Sequence, residues 1–116
     1  ANPSSMTASL ENFFNMSAPA KAVMIGDMGE LGDSSAEEHE KILKLLTDSS
    51  IDKIYLVGKE FEKALAQAGK RGDDRIFWFA SSDALAAYLS ENQLSGYSIL
   101  IKGSHSMRME KTVQVL

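Results

Sequence analysis

The 116-residue chain contains no cysteine and only two histidines, His39 and His105. The first absence excludes disulfides and thiolate metal sites, and two isolated histidines fall short of any zinc-ligand pattern. Positive charge is not concentrated anywhere: twelve basic side chains are scattered among sixteen acidic ones, for a formal charge of −4. Without a Lys/Arg block there is no electrostatic footprint for a phosphate backbone, so nucleic acid is not an expected partner. No apolar run approaches the roughly 20 residues that cross a bilayer. The opening Ala1-Asn2-Pro3-Ser4-Ser5 lacks the basic start and apolar stretch of a secretory signal, so the expected compartment is the cytoplasm. Neither a Walker A loop nor a Gly-x-Gly-x-x-Gly fingerprint occurs.

What is present suits one modest core and a single domain over residues 1–116, with 44% apolar residues. Met6, Leu10, Phe13 and Phe14 share a helical face after Pro3, with Ser4 or Ser5 as the expected cap. Residues 22–25 read as a buried strand. Ser34 with Glu37, or Ser35 with Glu38, has capping-box spacing before a helix over 36–46. Residues 54–57 read as a strand, followed by a helix using Phe61, Ala64, Leu65 and Ala68 that Gly69 ends. Residues 76–79 form the next strand. Ser81 or Ser82 then caps a helix carrying Leu85, Tyr88 and Leu89. Residues 98–101 make the last strand, and Met109, Val113 and Leu116 have the spacing of a final short helix.

Apolar strands alternating with helices predict an α/β fold in three layers, a mostly parallel sheet with helices on both faces. Beginning on a helix suggests a strand upstream of Ala1; a helix-first domain is the alternative. Right-handed crossovers place both glycine-bearing loops on one sheet edge, where open α/β sheets bind ligands. In residues 26–32, Gly26, Gly29 and Gly32 permit a tight path, while Asp27 and Glu30 could bind a cation or cap backbone amides. In residues 102–109, Lys102, Ser104 and Arg108 suit a carboxylate or phosphate, or form a solvated turn. His39 falls on the packed side of its helix and reads as a structural histidine touching the 26–32 loop. His105 lacks any assignable triad partners. Tyr55 and Trp78 hint at a sheet face covered by a helix or another domain.

The ordered set Ala1-Asn2-Pro3-Ser4-Ser5-Met6, Gly26-Asp27-Met28-Gly29-Glu30-Leu31-Gly32, Glu38-His39 and Lys102-Gly103-Ser104 through Met107-Arg108-Met109-Glu110 resembles the carboxyl-terminal domain of the Mur ligases. The similarity runs from the first residue to the last. The resemblance implies a Rossmann-like domain that closes over the active site of an ATP-dependent amide ligase in peptidoglycan synthesis. Amino-terminal and central domains of the same chain are its implied partners, the central one holding most of the ATP and Mg²⁺ contacts. The branch most resembled uses UDP-N-acetylmuramoyl-tripeptide and D-alanyl-D-alanine. Asn2 is then the candidate ATP-side contact, the remnant of an Asp-x-Tyr-Asn-Ala-Asn-Pro segment. Lys102, Ser104 and Arg108 are candidates for orienting the incoming carboxylate or the closed interface. His105 stands where relatives commonly carry arginine, so a constant positive charge there is not expected. Asp27 and Glu30 are assigned to loop shape and domain contact. An autonomous nucleotide- or small-molecule-binding module is the competing reading.

Overall fold

A computed structural model of the chain describes residues 3–69, 73–103 and 109. Its elements run α1 (Pro3–Asn15), β1 (Lys21–Gly26), a 3₁₀ turn (Gly32–Ser34), α2 (Ser35–Thr47), β2 (Lys53–Val57), α3 (Lys59–Ala68), β3 (Ile76–Phe79), α4 (Ser82–Glu91) and β4 (Ser98–Lys102). All strand pairs are parallel, in the order β3-β2-β1-β4. From β1 the chain steps outward through β2 to β3, then returns to the far side of β1 to make β4. With right-handed crossovers, that reversal puts α4 on the face opposite α2 and α3.

The side chains sort accordingly. Val23, Ile25, Ile54 and Leu56 point toward Met6, Leu10 and Phe13 of α1, Ile42, Leu43 and Leu46 of α2, and Phe61, Ala64 and Leu65 of α3. Ala22, Met24, Tyr55 and Val57 face Leu85 and Leu89 of α4, together with Met109. The central β1 therefore buries both faces, which explains its uninterrupted apolar run. Tyr55 stacks on Phe77 at 5.1 Å between ring centroids, with Tyr88 of α4 at 6.4 Å. Trp78 lies on the other face and donates its indole N–H to the Gly58 carbonyl at 2.8 Å. The two aromatic residues singled out in the sequence thus belong to different layers, and α4 covers Tyr55.

Helix ends are held in ways local sequence does not announce. Pro3, after which the helix was expected to start, is itself the first residue of α1; its fixed φ suits that position and its missing N–H costs no bond there. Lys21 donates to the Phe13 and Phe14 carbonyls at 3.0 and 2.8 Å, closing the other end of α1. The capping box expected for α2 does not form. Ser34 has helical dihedrals and no side-chain cap bond, because the preceding 3₁₀ turn already supplies carbonyls for the first amides. At its other end, Arg75 donates to the carbonyls of Thr47, Ser49 and Ile51, with Asp73 orienting the guanidinium. Ser81 caps α4 as expected, accepting from Ala84 N–H at 3.1 Å. Gly69 ends α3 in the left-handed conformation. Ala68, expected on the packed face of α3, is exposed one turn beyond Leu65, where the helix has passed the edge of the core. Val113 and Leu116 of the expected final helix lie outside the described residues.

Candidate functional site

Strand order reverses between β1 and β4, and both loops singled out in the sequence leave the carboxyl ends of those strands. Lys102 pairs in register with Ile25. One residue further, an added Cβ on Gly103 would stand 3.1 Å from the Gly26 Cα and 2.9 Å from the Met109 Cγ. The two loop roots therefore touch backbone to backbone. Any larger residue at position 103 would push them apart.

Asp27, the first residue after β1, turns toward α3. Its carboxylate accepts the Glu60 and Phe61 N–H groups at 3.1 and 3.2 Å. These are orphan amides of the first turn of α3, whose own cap residue, Gly58, has no side chain. Gly58 sits at φ +116°, and an added Cβ there would overlap the Asp27 carboxylate. A carboxylate from 33 residues upstream thus takes the place of a local cap. Burial pushes the Asp27 pKa up; the two amides pull against that rise, and Glu60 adds to it.

His39 is fully buried and braces the same loop. Its Nε2 accepts the Met28 N–H at 3.0 Å, which fixes the ring proton on Nδ1, where it meets the Ser35 carbonyl at 2.7 Å. In this tautomer Nε2 carries no proton for Asp27 Oδ1, 3.9 Å away, so the pair is a near neighbour rather than an ion pair. The ring edge rests on Phe61 at 4.8 Å, and Met28 is buried in the core. Ser35 donates its hydroxyl to Glu60, and that bond, with help from Lys63, holds Glu60 below the usual carboxylate range. Glu30 is exposed and lies at φ +59°, with Gly32 at +56°. A left-handed non-glycine residue costs about 1 kcal/mol, and it reverses the chain back toward α2.

Lys102 does not reach outward. Its ammonium donates to the hydroxyls of Ser5 and Ser9, both at 3.2 Å. Ser5, expected as a helix cap, is instead the third residue of α1 and an acceptor for this lysine. Asn2, Ser104, His105 and Arg108 lie outside the described residues. Among the described residues no three metal-ligating side chains converge, and Asp27 is engaged by amides. The sequence did not single out Gly58, Glu60, Ser5 or Ser9 for these roles, because each acts through a partner far along the chain.

Residues 1–105 match the family described as Mur ligase, glutamate ligase domain. The chain belongs to the Mur ligase family. It corresponds to the carboxyl-terminal domain, and the family ligates peptidoglycan precursors in cell-wall biogenesis. It is 36% identical to the UDP-N-acetylmuramoyl-tripeptide–D-alanyl-D-alanine ligase of Treponema pallidum over all of this chain and 26% of that one. With the Escherichia coli enzyme of the same name it shares 32% identity, over all of this chain and 25% of that one. A crystal structure of MurF from Acinetobacter baumannii superposes with a TM-score of 0.81 at 31% identity, covering 98% of this chain and 25% of the other. The chain therefore spans about a quarter of the length of the Mur ligases it matches.

Proposed function

We propose that this chain is the closing domain of an ATP-dependent ligase that joins D-alanyl-D-alanine to UDP-N-acetylmuramoyl-tripeptide. In that reaction the substrate carboxylate is activated as an acyl phosphate and attacked by the dipeptide amine, releasing ADP and phosphate. ATP and Mg²⁺ are held mainly by a central domain, and the sugar nucleotide by an amino-terminal one. The work assigned to this domain is to complete the pocket, orient the amine and exclude water from the acyl phosphate. Ser104 and Arg108, on the loop that leaves β4, are assigned to the dipeptide carboxylate, and Asn2 to the nucleotide side. The enzyme is assigned to the cytoplasm.

The observation that carries this reading is that the whole chain aligns with only about a quarter of ligases named for this reaction, which fits one domain of a longer enzyme better than an autonomous binder. The first amides of α3 are held by the domain's own Asp27, so that helix start is a shaped turn and is not offered to a phosphate. The purified 116-residue chain is expected to show no ATP hydrolysis, whereas the intact ligase should turn over ATP when both peptide substrates are present. Hydrolysis by the isolated chain at the rate of the intact enzyme would sink the proposal. In the intact enzyme, R108A should raise KM for D-alanyl-D-alanine, and unchanged kinetics would remove Arg108 from the site.

A further inference from the structure

The structure assigns Lys102 a positioning role: its ammonium latches the first two turns of α1 to the end of β4, fixing the root of the 103–109 loop against the start of that helix. This deepens the proposed function, because it takes Lys102 out of direct carboxylate recognition and gives it the setting of the loop instead.

Alternation along β4 places the side chain. Ile99 and Ile101 pack with the α4 layer, whereas Leu100 packs with the α1 layer, so Lys102 continues the Leu100 side beneath α1. There it meets Ser5 and Ser9, which lie four apart and therefore on one face of α1, flanked by the buried Met6 and Leu10. The three residues come together from 97 and 93 positions apart. A ligand-seeking lysine is expected to project into a loop cleft. This one turns back along its own sheet face and gives two of its three protons to a neighbouring element.

The other lysines sharpen the contrast. Lys41, Lys44 and Lys63 pair with carboxylates on their own helices, and Lys21 takes the carbonyl end of α1. Lys102 is held instead by two neutral hydroxyls beside the amino-terminal half of α1, where the backbone dipole offers a cation no attraction. Its placement there is accounted for by the two hydroxyls. An apolar residue could fill the same space, but it would let α1 slide over β4. Two directional bonds to serines one turn apart fix both the height and the rotation of α1.

The test begins with the 116-residue chain. Amide hydrogen exchange over residues 7–10 should rise about tenfold or more in K102M and equally in S5A/S9A, as expected for lost bonds to a charged donor. The triple variant should show no further rise, and K102R, which can still reach both hydroxyls, should restore most of the protection. S9A alone, a mild change, gives a smaller rise in the same amides if the larger substitutions unfold the chain. Unchanged exchange in S9A, or additive effects in the triple variant, would overturn the latch.

In the intact ligase, K102M and S5A/S9A should raise KM for the nucleotide and for the amine substrate together. A rise in dipeptide KM with K102M that S5A/S9A does not share would make Lys102 a direct ligand and overturn the inference. If the exchange results hold while the intact protein does not use D-alanyl-D-alanine, the proposed function fails and the latch stands.

Discussion

Gly58 and Asp27 are one device made of two residues. The glycine adopts a dihedral that other residues reach only with strain, and its missing Cβ is the space the carboxylate occupies. G58A should therefore cost about 2 kcal/mol or more in urea unfolding. D27A should cost about 1–2 kcal/mol through the two uncapped amides. The double variant should lose less than the sum, since removing the carboxylate relieves the overlap; strict additivity would refute the coupling. The pH dependence follows from the raised pKa of Asp27. Its contribution to stability is full below the ordinary value of 3.8 and declines as pH climbs through the raised value. Glu60 runs the other way: its contribution is present above the ordinary value of 4.5 and is lost as pH falls through its lowered value. D27N removes only the first, so the stability difference between wild type and D27N should shrink as pH rises out of the acid range. For His39, nitrogen shifts in NMR should report the Nδ1–H tautomer. A predominant Nε2–H ring would contradict the bond to Met28.

At the scale of elements, helices are tied down by charged groups from other segments. Removing the Arg75 guanidinium leaves the Thr47, Ser49 and Ile51 carbonyls without this donor. R75A should lower stability by about 2–3 kcal/mol in chemical denaturation, and R75K should recover only part, since an ammonium cannot fork across three acceptors. A loss below about 0.5 kcal/mol would show that water replaces the arginine freely. These ties also explain what was legible in the sequence. Among the described residues, periodicity and local caps revealed the four strands to within one residue, the four helices by their apolar faces, and the Gly69 and Ser81 ends. The α2 capping box fit the same local grammar and was wrong, because a 3₁₀ turn had already satisfied the amides. Arg75 with Thr47 and Asp27 with Phe61 were invisible, since the partners lie 28 and 34 positions apart and no sequence window spans them. The candidate site was legible as two loops meeting at one edge. The roles within it were not: Asp27 caps a helix and Lys102 turns back onto α1.

The molecule as a whole is two unequal layers on a shared sheet, with Tyr55 at the centre of the α4 side. Burial pushes its pKa up to about 12, with Tyr88 and Tyr97 adding to the shift. The phenol therefore contributes stability that is intact below its ordinary value of 10 and is lost as pH rises toward about 12. The urea midpoint should fall over that interval, and Y55F should flatten the fall; the same fall in Y55F would assign it to other groups.

The strand order also sets a sequence of assembly. β1 pairs on one side with β2, which follows after a single helix, and on the other with β4, which arrives only after every other described strand and helix. Closing that longer loop carries the greater entropic cost, so the β1–β2–β3 half should form before β4 docks. The seam that holds the candidate site is then the last part to zip and the first to part under denaturant. Substitutions there should chiefly quicken unfolding, whereas those between β1 and β2 should slow refolding.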